Sequence, residues 1–147
     1  MKLSSPDFEK GKPLPRFCAY HSENRSPELR FEDVPEQTKS LALIMDDPDA
    51  PRGTWVHWVL WNIPAETRVI KKGEIPPGAV AGRNDFGNTQ FDGPAPPSGV
   101  HRYYFRVYAL DTLLQLPRGS TKAELLKKMH GHVLASAELM GTFSASH

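Results

Sequence analysis

Residues 45–64 read MDDPDAPRGTWVHWVLWNIP, and the fold can be worked out from this stretch. It opens on a turn in which Pro48 and Pro51 fix their own φ angles and keep the residues before them out of the α region. The carboxylates of Asp47 and Asp49 are therefore held on a stiff loop that cannot continue as a helix. This acidic turn directly precedes a run suited to burial, and we look there first for a functional site.

The turn is followed by a predicted strand. Residues 55–61, WVHWVLW, are aromatic or β-branched at most positions, which is typical of β structure. Side chains alternate between the two faces of a strand. One face is therefore expected to carry His57, Val59 and Trp61, and the other Trp58, Leu60 and Asn62. A histidine is thus placed close in sequence to the two carboxylates.

Length and composition exclude several classes of protein. The 147 residues suit one domain spanning residues 1–147, and a net charge of +1 with interspersed signs argues against a broad nucleic-acid surface. No apolar run approaches the ~20 residues of a membrane span, so stable membrane insertion is not expected. The single Cys18 fits a reducing compartment, and residues 1–6 lack the apolar core of a signal peptide. We expect a cytoplasmic location.

The remaining pattern predicts a mainly β fold with a C-terminal helix. Fourteen prolines and eleven glycines imply many turns, and residues 27–31, 40–45 and 101–110 have the composition of strands. Thr121 and Glu124 have capping-box spacing. An apolar stripe at three- and four-residue steps then predicts a helix that ends near Gly141. The stripe consists of Leu126, Met129, Val133, Ala137 and Met140.

Residues 71–99 show little regular pattern. They contain three turn-rich segments with proline or glycine, and a loop of this length is usually functional or disordered. Phe86 and Phe91 are apolar anchors that favour an ordered loop. His101 follows at the start of the next predicted strand, directly after this loop.

A small polar pocket results if these loops converge. Its polar groups would be His57, His101, Asp47 and Asp49, with walls formed by Trp55, Phe86 and Tyr103. A histidine beside a carboxylate keeps its proton to higher pH, and an imidazolium donates from both ring nitrogens. Such a pocket favours an anion with several oxygens, such as phosphate.

Each of these residues also has a structural interpretation that the sequence leaves open. A strand histidine is often a core residue, and aspartates in an Asp-Pro turn often cap that turn. Arg102 points to the other side of its strand from His101, which favours a structural role. A metal site formed by His57, His101 and Asp47 is conceivable but lacks a tight ligand spacing. We therefore expect neither a metal nor a cofactor.

Four segments together resemble the phosphatidylethanolamine-binding protein (PEBP) family, also known as the Raf kinase inhibitor-like proteins. They are SLALIMDDPDAP at 40–51, WVHW at 55–58, NDFG at 84–87 and GPAPPSGVHRYYF at 93–105. The resemblance is closest to the compact bacterial and archaeal branch. It implies a PEBP-like fold, a large central sheet packed by a smaller sheet with one or two helices. The compact relatives are often dimers, so a homodimer is an expectation as well.

The resemblance implies an anion pocket at one end of the sheet. Carried over by motif position, its lining is Asp47, Asp49, Trp55, His57, Pro94, Gly99, His101 and Tyr103. Members of the family bind phosphate-like groups there, including phosphoethanolamine head groups. The expected function is non-catalytic binding of a small anion or phosphorylated ligand, with regulation of a partner protein such as a kinase or protease. The alternatives are a serine protease inhibitor that acts through a surface loop, and a weak phosphohydrolase or metal-dependent enzyme.

One departure from the family pattern bears on this expectation. Compact relatives usually have Tyr-Gly-Gly-Pro-Cys-Pro-Pro where this chain has FDGPAPP at 91–97. Asp92 adds a negative charge near the expected anion site, which would lower the affinity for an anion if the carboxylate faces inward. The loop between residues 51 and 55 is short, so kinase inhibition is the least transferable part of the resemblance.

Overall fold

The structure, a computed structural model, describes residues 1–145. It contains eight strands, one α-helix and a short 3-10 helix at Arg16–Cys18. The strands are β1 Lys2–Ser4, β2 Leu29–Glu32, β3 Ser40–Asp47, β4 Trp55–Pro64, β5 Val69–Ile70, β6 Val80–Ala81, β7 Val100–Leu110 and β8 Val133–Ser144, and the helix α1 is Lys122–Met129. No helix within residues 1–145 is both long enough and apolar enough to cross a membrane.

The strands form two antiparallel sheets. The larger sheet has the order β6-β4-β3-β7-β8, and the smaller has the order β1-β2-β5. A large apolar cluster contains residues of both sheets, including Phe31 from the smaller sheet and Leu43 and Phe105 from the larger. The predicted fold class, a large central sheet packed by a smaller one with a helix near the C-terminus, is confirmed.

β3 is covered on both faces, as its continuous apolar run predicts. All eight of its residues are buried. Leu41, Leu43 and Met45 belong to the cluster shared with the smaller sheet, whereas Ala42 and Ile44 belong to a second cluster that includes residues of α1. Because a fully buried strand cannot slide without exposing apolar surface, β3 holds the acidic turn after it in a defined position.

A β-bulge in β4 interrupts the alternation of side chains that the sequence predicted. Met45 pairs with Trp58 and Asp46 with Val56, so His57 is the extra residue on β4. His57 therefore contacts Tyr103, a member of the same cluster as Trp58, while Val59 and Trp61 belong to the cluster with α1. The prediction that His57 shares a face with Val59 and Trp61 was wrong, because a bulge shifts the alternation by one residue.

The C-terminal helix is shorter than predicted. α1 ends at Met129, Gly131 takes a left-handed φ of 83°, and β8 follows. The apolar residues after Val133 recur at alternating as well as at helical spacing, so periodicity could not separate the two states. β8 pairs with β7 along nearly its whole length and satisfies a row of β7 backbone groups. That pairing outweighs the local helical pattern.

The predicted capping box is present at the start of α1. The Thr121 hydroxyl accepts a hydrogen bond from the Glu124 backbone N–H, and the Glu124 carboxylate accepts one from the Thr121 N–H. Lys122, the first helical residue, donates to the buried Asp46 carboxylate of β3 and ties the helix to the sheet.

We expect Thr121→Ala to lower the free energy of unfolding by about 1 kcal/mol, because one helix N–H loses its acceptor. Thr121→Ser, which keeps the hydroxyl, is the matched control and is expected to stay close to the wild type. Chemical denaturation with urea measures both values. Equal losses in the two variants would show that the hydroxyl is not the stabilising group.

Candidate anion-binding site

A cavity of about 190 Å³ opens where β3, β4 and β7 meet two of the loops. Five of the eight residues expected in the site line it, together with Phe86 of the 71–99 loop. The full lining is Asp47, Ala50, Pro51, Trp55, His57, Phe86, Ala95, Pro96, Pro97, His101 and Tyr103. The strands thus bring together side chains that lie up to 56 positions apart, from Asp47 to Tyr103.

His57 is fixed by a backbone carbonyl. Its Nδ1 lies 2.6 Å from the carbonyl oxygen of Asp92, and its ring packs edge-on against Phe86 and Tyr103. The side chain is only 2% exposed, and burial lowers the pKa of the imidazole against the opposing effect of Asp92 and Asp47. Burial therefore favours the neutral imidazole at this position, in contrast to the charged ring expected from the sequence.

His101 and Asp47 form a buried pair. The Nδ1 atom of His101 lies 2.6 Å from Oδ2 of Asp47. The second oxygen of the same carboxylate, Oδ1, accepts a hydrogen bond of 2.8 Å from the Asp49 backbone N–H. Both oxygens of Asp47 are thus occupied by donors, so its role is to orient His101 and hold the turn together.

Tyr103 carries an unpaired donor beside the cavity. The residue is fully buried, and its hydroxyl has no hydrogen-bond partner within the part of the chain that the structure describes. Burial, reinforced by the negative charge of Asp47, raises the pKa of the phenol, so it keeps its proton at physiological pH. A buried hydroxyl without a partner is costly, and a ligand oxygen in the cavity is one way to satisfy it.

Asp49 does not line the cavity. Its carboxylate accepts hydrogen bonds from the Arg102 backbone N–H and from the guanidinium at Nε and Nη2. These bonds hold the pKa of Asp49 down at about 2, against the opposing effect of burial. The pair ties the acidic turn to β7 on the side away from His101. Arg102 thus has the structural role that its position on the strand predicted.

Pro94 and Gly99 also lie outside the lining. Pro94 is buried with its carbonyl accepting from the Tyr20 N–H, and Gly99 is exposed in a left-handed turn with φ 66°. The residues beside Pro94 are the ones that reach the cavity, namely Ala95, Pro96 and Pro97. Motif position found the correct loop, but it could not give the direction of individual side chains within it.

Asp92 faces away from the cavity. It is 1% exposed, and its two carboxylate oxygens accept hydrogen bonds from four side-chain amides. The donors are Asn24, Asn84, Asn88 and Gln90, at 2.8–3.0 Å. Burial raises the pKa of this carboxyl, but the four donors outweigh it and the pKa is lowered. The carboxylate thus keeps its negative charge but is held by amide donors outside the cavity lining, and the Asp92 carbonyl is the group that contacts His57.

Metal binding finds no geometric support here. Within residues 1–145 the structure has no group of three or more histidine, cysteine, aspartate or glutamate side chains placed to hold a metal ion. Both Nδ1 atoms of the cavity histidines are engaged by oxygen acceptors. The Nε2 atoms have no partner among the described residues, and they are the ring nitrogens left for a ligand.

The chain is similar to known proteins over nearly its whole length. The family model described as phosphatidylethanolamine-binding protein matches residues 4–144. A UPF0098 protein of Methanothermobacter thermautotrophicus is 46% identical over 148 residues, covering 97% of this chain and 98% of the relative. A second UPF0098 protein, from Chlamydia muridarum, is 43% identical over 97% of this chain and 98% of its own length.

Two crystal structures are similar along nearly the whole chain. A proposed PEBP homolog from Chlamydia trachomatis, CT736, superposes with a TM-score of 0.94 at 41% identity, covering 99% of this chain and 97% of the other. Escherichia coli YbcL, described as a new member of the mammalian PEBP family, has a TM-score of 0.92 at 33% identity over 99% and 98%.

Proposed function

Since the chain belongs to the phosphatidylethanolamine-binding protein family, we propose that its cavity binds a small phosphate-type anion. Inorganic phosphate and the phosphoethanolamine head group are the simplest ligands of this chemistry. The protein would act by binding and not by catalysis, and ligand occupancy would regulate a partner such as a kinase or protease.

The unpaired Tyr103 hydroxyl is the observation that carries this proposal. A buried phenol O–H without a partner lies against the same cavity as the free Nε2 atoms of His57 and His101. Two ring nitrogens from β4 and β7 are therefore open to a ligand with several oxygens, and the phenol O–H, which has almost no accessible surface in the empty cavity, would be reached by a small shift of its ring on binding. A phosphate group offers several oxygens within one small tetrahedron, so it can contact more than one of these groups at once.

The size of the cavity limits the ligand. About 190 Å³ is below the usual 300–1,000 Å³ of drug-sized pockets. The walls include Trp55, Phe86, Pro96 and Pro97, which restrict a ligand to a compact head group. Trp55 is 39% exposed and marks the side open to solvent. An acyl chain would have to lie outside this space.

Thermal unfolding in increasing phosphate or phosphoethanolamine tests the proposal. A ligand that binds only the folded state at about 100 times its Kd stabilises by about 2.7 kcal/mol, which raises Tm by several degrees. His57→Ala and His101→Ala should lose this shift. His132→Ala is the control, because that histidine contacts Asp111 on the surface and does not line the cavity. No shift in the wild type would refute anion binding.

Tyr103→Phe provides a sharper variant. Removing an unpaired buried hydroxyl should leave the free energy of unfolding of the empty protein unchanged or slightly higher, since no hydrogen bond is lost. The affinity for phosphate, measured by isothermal titration calorimetry, should fall by roughly tenfold, the equivalent of about one hydrogen bond. Tyr104→Phe, on the adjacent position of β7, is the matched control. An unchanged affinity for phosphate in Tyr103→Phe would show that the phenol does not contact the ligand.

The alternatives give different results in the same samples. A serine protease inhibitor that acts through an exposed loop would slow a chymotrypsin-like protease even in the His57→Ala/His101→Ala double variant. A phosphohydrolase would release nitrophenol from a chromogenic phosphate ester, in proportion to added metal for a metal-dependent enzyme. Our proposal predicts neither result.

A further inference from the structure

We propose that the cavity accepts a phosphate-type anion only when the ligand carries a proton, and that it therefore discriminates phosphate from sulfate. This inference rests on the proposed anion-binding function and adds the chemical form of the ligand. Phosphate and sulfate have the same shape, so selection between them must come from hydrogen bonding. The position that decides is Nε2 of His57.

The tautomer of His57 is set by its backbone partner. The carbonyl oxygen of Asp92, 2.6 Å from Nδ1, can only accept a hydrogen bond. Nδ1 must therefore carry the proton, and in the neutral ring Nε2 presents a lone pair. His101 differs, since its Nδ1 faces the Asp47 carboxylate and not a backbone carbonyl.

The Asp92 carbonyl has little freedom to move. Four side-chain amides hold the carboxylate of the same residue. The next residue, Gly93, donates its N–H to Oδ1 of Asn24 at 2.7 Å, and the Asp92 N–H donates to the His57 carbonyl at 3.2 Å. The main chain that fixes the tautomer is thus held on both sides, so a change of ligand cannot easily turn it away.

The surroundings of His57 favour the neutral ring. Phe86 and Tyr103 pack edge-on against it, and the ring is almost fully buried. The titratable groups that act on it come from β3, β7 and the 82–94 loop, and they are Asp46, Asp47, Asp92, His101 and Tyr103. The three carboxylates favour a charged ring, but burial outweighs them and lowers the pKa of His57 below 6.5.

A lone pair at Nε2 requires a hydrogen-bond donor on the ligand. A phosphate monoester has a second pKa of about 6, so a P–OH group persists near neutral pH. Sulfate carries no proton in this range and can only accept. Against the neutral ring it would place an oxygen lone pair opposite a nitrogen lone pair, an unpaired contact in a buried site. The Tyr103 hydroxyl then donates to a second oxygen of the phosphate.

Isothermal titration calorimetry with inorganic phosphate and sulfate, from pH 5 to 8, tests the proposal. Sulfate needs a protonated His57, so its affinity should fall up to tenfold per pH unit once the pH exceeds the lowered pKa of that ring. Inorganic phosphate, whose second pKa lies about one unit above that of a monoester, supplies its own proton and should hold its affinity up to about pH 7. We expect phosphate to bind at least tenfold more tightly than sulfate at pH 7.

His57→Gln is the conservative variant. Its side-chain amide can place an N–H near the Nε2 position, so sulfate should bind at pH 7 and its pH profile should flatten. If neither anion binds the wild type, the proposed function fails. If both bind with the same affinity and pH profile, or sulfate binds more tightly, the anion site stands and the proton requirement is overturned.

Discussion

Gly93→Ala lowers the free energy of unfolding by about 3 kcal/mol or more and gives the largest stability loss expected of any conservative substitution near the site. An added Cβ would lie 1.6 Å from the carbonyl oxygen of Cys18 and 2.7 Å from its carbonyl carbon. Both are backbone atoms of the short 3-10 helix, so no side-chain rotation can relieve the overlap. Either the 82–94 loop or the N-terminal segment must move. Urea denaturation measures the loss.

Gly99→Ala is the matched control for this prediction. Nothing lies within 4 Å of an added Cβ at that position, and only its left-handed φ of 66° opposes the change. A cost of about 1 kcal/mol is expected there from backbone strain. A Gly93→Ala protein as stable as Gly99→Ala would show that the two segments are not in the contact described. Any Gly93→Ala protein that still folds should also lose phosphate binding, because the clash moves the Asp92 carbonyl that holds His57.

Asp92→Ala is the second substitution with a large expected effect, a loss of about 3 kcal/mol. Four amide donors lose a buried charged acceptor at once, and the desolvation of those amides is no longer compensated. Asp49→Ala is the control for removing a carboxylate. Its partner Arg102 is half exposed, so the loss should stay below about 1 kcal/mol.

The stability lost in Asp92→Ala should also depend on pH, in a direction that follows from the lowered pKa of the Asp92 carboxyl. The folded state holds the pKa of Asp92 below the ordinary 3.8, so the carboxylate stabilises the fold fully above about pH 4. This stabilisation is lost as the pH falls through the folded-state pKa. The difference in unfolding free energy between wild type and Asp92→Ala should therefore shrink below pH 4. A difference that stays constant with pH would contradict the charged amide-bound carboxylate.

Local sequence patterns predicted most of the sheet. β3, β4 and β7 are strong apolar or aromatic runs whose burial leaves few alternatives, and the turn after β3 is stiffened by proline. β8 was missed because its apolar residues fit a helix as well as a strand. Only the unpaired edge of β7, a tertiary requirement, decides between the two.

The sequence predicted which residues share the cavity, but it did not predict their orientation or their hydrogen bonds. His57, His101 and Tyr103 do share one cavity, as the sequence led us to expect. The bulge that turns His57 toward Tyr103 has no local signal. Neither do the contacts that keep Asp49 out of the cavity and set the tautomer of His57, since they join residues far apart in sequence. Such long-range polar contacts depend on the finished fold.

A crystal of the wild-type protein soaked in phosphoethanolamine shows directly whether the cavity binds a phosphate group. We expect phosphate density within hydrogen-bond distance of Nε2 of His57, Nε2 of His101 and the Tyr103 hydroxyl, with the ethanolamine group directed toward Trp55 and solvent. An empty cavity at a phosphoethanolamine concentration that raises Tm, with the phosphate bound elsewhere on the surface, would contradict it.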